Sequence, residues 1–315
     1  MPTDASIGAA PRFDVLGFGA VAVDDLLYVD EYPPADSKVR VARRQRECGG
    51  LTGSALVAAA RLGARCAYVG MLGPDELSRF VAERFGREQI DLSHCVCRDD
   101  ARPVHSTIVV DQSRKTRNVF ASFDGAIGAD PTRPAAELIG AAAALLVDHH
   151  GQQGTIRAAR IARASGVGVV ADFERNPGGN FDELVTLADH LILSAGFARQ
   201  LSGKEMPGEV VSELWRRNRQ VVAMTCGAEG CWYRGPDAAM VPRHFPAFAI
   251  DAADTTGCGD VFHGAYAAAL AWGWPLDRRI AFASATAALK ATRCGGQSGC
   301  PSRAQVEQFL RTRGQ

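Results

Sequence analysis

Apolar residues along the chain follow two periods, and the periods alternate. Residues 13–33, FDVLGFGAVAVDDLLYVDEYP, begin as a buried-strand run and continue as one alternating strand to about Val29, where Pro33-Pro34 close it. Residues 54–73 carry a helix, a turn and a strand, and 75–89, DELSRFVAERFGREQ, are patterned as an amphipathic helix. Residues 104–121 differ: two β-rich runs flank a polar tip, Asp111–Thr116, which predicts a hairpin. The alternation then resumes. Strands are expected at 144–150, 167–173, 190–194 and 220–227, with helices over 152–165, near 180–187, and over 195–203 and 208–218. A short β segment, GCWYRG (230–235), follows, and Cys258 to Leu310 is nearly all helical in pattern.

Strands that alternate with helices imply a largely parallel sheet covered on both faces. The β-only stretches at about 23–48 and 100–123 cannot join that rhythm, so a small separate sheet is expected from them. The chain is read as one α/β domain over 13–311, preceded by a flexible tail over 1–12.

Composition narrows the function. With 315 residues the chain can bury about 75% of its unfolded surface, so a full core needs no staples. Lys+Arg and Asp+Glu both number 35, so the basic excess of a nucleic-acid binder is missing and nothing favours an anionic membrane. No window holds about 18 uninterrupted apolar residues, and the first twelve lack the basic start and apolar run of a signal peptide. The nine cysteines form no CxxC and no regular framework, which points to free thiols in a reducing cytoplasm and against zinc.

The chemistry concentrates in residues 254–260, DTTGCGD, just before an apolar helix. Gly257 and Gly259 flank one small residue, Cys258, at the helix start, where unpaired N–H groups and the positive dipole end form a cradle for an anion such as phosphate. Asp260 lies in the same turn. A carboxylate there repels phosphate unless it has a task, and the natural task is to take the proton from a hydroxyl that attacks phosphorus. Helix capping is the plain structural alternative for a lone GxGD.

The full motif resembles the D-T-x-G-A-G-D signature of the ribokinase / phosphofructokinase-B-type carbohydrate kinases. That resemblance implies a ribokinase-like fold: a mostly parallel central sheet, helices on both faces, and a small β lid. It makes Asp260 the catalytic base and Gly257, Cys258 and Gly259 the anion hole. GGLTGSALVAAARLG (49–63) is similar to the family's N-terminal motif, with Gly49 and Gly50 close to the sugar and Ser54 where relatives often carry Asn. Asp24 matches the aspartate that holds sugar hydroxyls. TCGAEG (225–230) resembles a nucleotide-side turn and places Thr225, Gly227 and Gly230 near ATP. TRCGGQSG (292–299) resembles the closing segment that, with Asp254 and Thr256, holds a monovalent cation such as K+; Arg293 and Gly295 belong to it. The family's acidic N-x-x-E motif is replaced by Ser194-Ala195-Gly196-Phe197, so Mg2+ is expected to be held mainly by the nucleotide.

The resemblance therefore implies transfer of the ATP γ-phosphoryl group to a primary hydroxyl of a small carbohydrate, with homodimer contacts through the β lid. The wording of GDVFHGA and ILSAGFA is nearest to kinases of ketoses and modified ketoses. A nucleoside kinase and a non-catalytic sugar- or nucleotide-binding protein are the alternatives. Gly17 to Ala22 match a dinucleotide fingerprint, but strand-type alternation continues where a helix is required. Asp148-His149-His150 are read as a polar strand end, and Arg114, Lys115 and Arg117 as a solvated turn. Cys258, at a helix N-terminus, is expected to have a lowered pKa and to react with alkylating reagents.

Overall fold

The computed structural model describes residues 12–114, 116–236 and 241–314. The tail expected over 1–12, apart from Arg12, and Lys115 of the hairpin tip lie outside the described residues.

The elements alternate as the pattern implies. The first part contains β1 (Phe13–Phe18), β2 (Ala22–Val29), β3 (Arg43–Gly49), α1 (Leu51–Arg61), β4 (Cys66–Tyr68), β5 (Met71–Leu72), α2 (Glu76–Arg87), β6 (Val96–Cys97), β7 (Val104–Asp111) and β8 (Thr116–Ser122). The middle runs α3 (Ala136–Gly140), β9 (Ala142–Asp148), α4 (Gln152–Ala164), β10 (Gly168–Asp172), α5 (Phe181–Leu187), β11 (His190–Ser194), α6 (Ala195–Ser202), α7 (Pro207–Leu214) and β12 (Val221–Thr225). The chain ends with β13 (Cys231–Arg234), β14 (Arg243–Phe245), α8 (Cys258–Ala271), α9 (Leu276–Ala291) and α10 (Arg303–Thr312).

The main sheet has the order β14-β13-β12-β11-β10-β9-β1-β4, parallel from β12 to β4. Side chains alternate between its two faces. Val15, Leu146, Val170 and Ile192 pack with α1, α2, α8, α9 and α10, whereas Leu16, Leu145, Val169 and Leu191 pack with α3 to α7. Both faces are therefore dry, which is why these strands carry near-continuous apolar runs. No helix among the described residues is long and apolar enough to cross a membrane.

Four of the remaining strands form a second sheet, β3-β2-β7-β8, in which β2 lies antiparallel to β3 and parallel to β7, and β5 and β6 pair as a two-stranded parallel sheet. β7 and β8 are the hairpin, in register from His105–Ser122 to Asp111–Thr116. At its tip the Asp111 carboxylate accepts from the Arg114 N–H at 2.9 Å, and the exposed Arg114 guanidinium pairs with Glu31.

Two boundaries depart from the pattern. The single strand expected over 13–29 is divided: β1 belongs to the main sheet and β2 to the small one. The buried Asp148 carboxylate takes the Ala20 N–H at 2.7 Å and the Thr52 hydroxyl at 2.9 Å, which stops β1 pairing beyond Phe18. The helix expected over 208–218 ends at Leu214, because the buried Arg219 guanidinium takes the Leu214 carbonyl at 3.0 Å and Trp215 turns extended beneath Arg234.

Candidate active site

The parallel strands β9, β10, β11 and β12 end at Asp148, Asp172, Ser194 and Thr225. Ligands in open α/β sheets bind beyond such carboxyl ends, and the N-terminus of α8 lies there. Gly257, its cap residue, has φ 74°, a left-handed conformation that favours glycine. No side chain caps the helix. The Cys258 N–H turns back to the Thr255 carbonyl at 3.2 Å, so this amide of the expected anion hole already has a partner. Gly259 faces open space: a Cβ there would meet nothing within 4 Å.

Asp260 stands half-buried in the first turn, with the Ser54 hydroxyl hydrogen-bonded to its carboxyl. Small residues make this possible. Gly264, one turn on, lies so close to the Ala55 carbonyl that any side chain would collide, so α1 and α8 touch backbone to backbone. The runs of Ala in both helices are the sequence cause. Burial raises the Asp260 pKa well above the ordinary carboxylate range, and the charges of Asp172 and Glu174 raise it further. Asp172 is itself raised by burial and by Glu174. His263 ties this group to the sheet: its ring nitrogens lie 2.8 Å from the Gly259 carbonyl and 3.0 Å from that of Ile192, and Nδ1 is 3.2 Å from Asp172 Oδ2.

On the small sheet, β3 ends at Gly49. Its missing side chain leaves the room that the Asp24 carboxylate fills, since a Cβ there would overlap Oδ2. Gly50, at φ 84°, presses on Val21 and starts α1, and Ser54 N–H donates to its carbonyl at 2.8 Å. Asp24, Gly49, Gly50, Ser54 and Asp260 are thus successive neighbours: one turn of α1 links Gly50 to Ser54, and the Ser54 hydroxyl reaches Asp260 on α8. Burial raises the Asp24 carboxyl, against the Ser106 hydroxyl that donates to it and with help from the Glu47 charge. Asp25 points the other way, to Arg46 at 2.6 Å and His105 at 2.8 Å.

Thr225 closes β12, with its hydroxyl 3.4 Å from the Leu193 carbonyl. Gly227 (φ 56°) faces open space, whereas Gly230 (φ 94°) passes tightly under the Phe245 carbonyl and shapes the β12–β13 turn itself. In the closing segment Asp254 accepts from the N–H groups of Thr256 at 2.8 Å and Gly295 at 2.9 Å. Arg293 donates its N–H to the Lys290 carbonyl at 2.9 Å. The Glu47 carboxylate accepts from the Gly296 N–H at 3.2 Å, which links the small sheet to this segment.

The expectation of a reactive Cys258 is corrected. Burial outweighs the helix dipole and raises the thiol, whose Sγ donates to the Ala287 carbonyl at 3.6 Å. Asp148 is the polar end of β9, and it is fully buried, where its carboxylate braces Ala20 of the β1–β2 link against Thr52 of α1. Asp172, Glu174, His263 and Lys290 were not singled out from the sequence. Asp172 and Glu174 follow an apolar strand and could have been noticed as its carboxyl end; nothing local marks His263 or Lys290.

A model of pfkB family carbohydrate kinases matches residues 13–303. Ribokinase from Haemophilus influenzae is 28% identical over 302 residues, covering 93% of this chain and 96% of that protein. Fructokinase-1 from Zea mays is 27% identical over 96% of this chain and 99% of its own length. The structure of Arabidopsis thaliana ribokinase complexed with ribose and ATP superposes with a TM-score of 0.83 at 20% identity, covering 96% of this chain and 99% of that one.

Proposed function

Given that the chain belongs to the pfkB family of carbohydrate kinases and has their ribokinase-like α/β fold, we propose that it transfers the γ-phosphoryl group of ATP to a primary hydroxyl of a small ketose or modified ketose in the cytoplasm. The observation that carries this reading is the Asp260 carboxyl at the uncapped start of α8, next to Ser54 on the helix that begins at the Asp24–Gly49–Gly50 corner.

Asp24 holds a pair of sugar hydroxyls, because one carboxylate can accept two donors. Gly49 and Gly50 let the sugar approach the backbone, and Ser54 orients the base. Asp260, made more basic by its surroundings, takes the proton of the attacking hydroxyl. The new O–P bond forms as the bridging P–O bond of ATP breaks and ADP leaves. The Gly257–Gly259 turn faces the transferred group, with the Gly259 side the most open. Thr225 and Gly227 border the nucleotide.

Among the described residues no three His, Cys, Asp or Glu side chains converge to hold a metal ion alone. Mg2+ would therefore arrive on the triphosphate, with Asp172 and Glu174 as the carboxylates near Asp260, and would neutralise phosphate charge there. Asp24 lies on the small sheet and Asp260 on the main domain, so a bound sugar bridges the two and draws the small sheet down as a lid against water. The edge strand β8 exposes Val119 (53%) and Phe120 (55%), which supports a homodimer through that sheet.

The test is an ADP-release screen over ribose, fructose, other ketohexoses, sugar acids, phosphorylated and sulfonated sugars, and nucleosides. Turnover with a ketose that disappears in Asp260→Asn is expected. Turnover confined to nucleosides, or to none of these compounds, overturns the reading.

A further inference from the structure

Lys290, in the last turn of α9, has no exposed surface. Lysine is almost never buried this completely without a partner for its charge. The partner is Asp254, which is itself held by the Gly295 amide of the closing segment. Lys290 Nζ donates to the Asp254 carbonyl at 2.8 Å and stands 3.9 Å from Asp254 Oδ2. Gly299 leaves room for the rest of the side chain: a Cβ there would lie 3.3 Å from Lys290 Cε, 2.9 Å from the Gly295 carbonyl and 3.3 Å from the Arg293 carbonyl. The Asp254 carbonyl and carboxylate therefore face the end of a lysine, and the Gly295 and Arg293 carbonyls lie around Gly299 beside its Cε.

These are the residues that family resemblance makes a monovalent-cation site: Asp254, Thr256, Arg293 and Gly295. The donor set suits such an ion, since carbonyl and carboxylate oxygens bind hard cations. The surroundings do not. A fixed ammonium already takes the Asp254 carbonyl, and a second positive charge beside it would meet repulsion that burial leaves poorly screened.

We propose that the Lys290 ammonium takes the place of the monovalent cation, so that this kinase works without K+. The inference rests on the kinase reading above. Lys290 is a positioning residue. It fixes Asp254, whose carboxylate holds the Thr256 and Gly295 amides, and Thr256 immediately precedes Gly257 at the start of α8. The charge thus holds the anion-binding turn in place from behind, as a bound ion would, and it cannot dissociate.

The test compares ADP release in tetramethylammonium and potassium buffers for the wild type and Lys290→Met, with crystals of both soaked in rubidium for anomalous scattering. The wild type is expected to be equally fast in both buffers. Lys290→Met should lose about tenfold or more in tetramethylammonium through misplacement of the turn, regain most of it in potassium, and show rubidium at the Asp254 carbonyl. The proposal is overturned by any of four results: a wild-type rate that rises with potassium, rubidium beside an intact Lys290, a folded variant as fast as wild type without potassium, or a slow folded variant that potassium fails to restore. If the variant does not fold, the wild-type rates and rubidium map decide. A wild type inactive on every sugar would refute the kinase reading, and the rubidium map would still decide this one.

Discussion

Adding a single methyl group at position 49 tests the sugar side of the mechanism. Gly49 has no left-handed φ, so alanine is free to adopt its backbone conformation. Its Cβ would overlap Asp24 Oδ2 and lie 3.3 Å from Cγ. The carboxylate must retreat by on the order of 1 Å, and a 1 Å misplacement at a reacting site costs about 10²-fold. Hydrogen bonds to a charged group contribute about 1.5–3 kcal/mol each. Loss of one of the two expected from a sugar diol gives the same scale, about 10- to 100-fold in affinity. The atom that moves is the free end of a side chain, so stability should fall by less than about 1 kcal/mol. Thermal unfolding would first establish that Gly49→Ala is folded. ADP-release kinetics would then give KM for sugar and for ATP separately. The sugar KM should rise while the ATP KM stays at the wild-type value. A folded variant with an unchanged sugar KM, or one in which both KM values rise equally, refutes the assignment of Asp24.

Three further outcomes follow from the charges around α8. Asp260→Asn should lower kcat by about 10²–10⁴-fold and raise Tm at neutral pH: a half-buried carboxyl with a raised folded pKa favours folding less as pH climbs above its unfolded pKa, and asparagine escapes that loss. A drop in Tm would contradict it. The acid limb of the pH–kcat/KM profile should lie above the ordinary aspartate range, activity being lost as pH falls through the raised Asp260 pKa, and Asp172→Asn should move the limb to lower pH by removing a neighbouring negative charge; an unmoved limb counts against Asp260 as the titrating base. Mass spectrometry after iodoacetamide at neutral pH should find Cys258 labelled more slowly than the exposed Cys97 and Cys294, in line with its raised pKa. Faster labelling of Cys258 would restore the thiolate that burial argues against.

Much of the architecture was legible because it is written in short-range pattern. Strands such as VGVVADF are apolar on both sides since helices cover both faces, and the change of period at 104–121 marks the second sheet. DTTGCGD announced the start of α8 because glycine conformation and helix-end amides are local properties. Boundaries failed where distant side chains intervene: Asp148 cuts β1 from β2, and Arg219 ends α7. The Ser54 position was visible from the motif around it, but its hydrogen bond to Asp260 depends on the Gly264–Ala55 contact between two helices.

By itself, then, the sequence determined the order of elements, the family, and which carboxyl stands in the first turn of α8. Only the tertiary structure shows that burial raises the Asp260 carboxyl and the Cys258 thiol, and that a lysine stands behind Asp254. The reason is physical. Periodicity and turn chemistry depend on neighbours along the chain, whereas desolvation and charge coupling depend on groups that folding brings together from far apart.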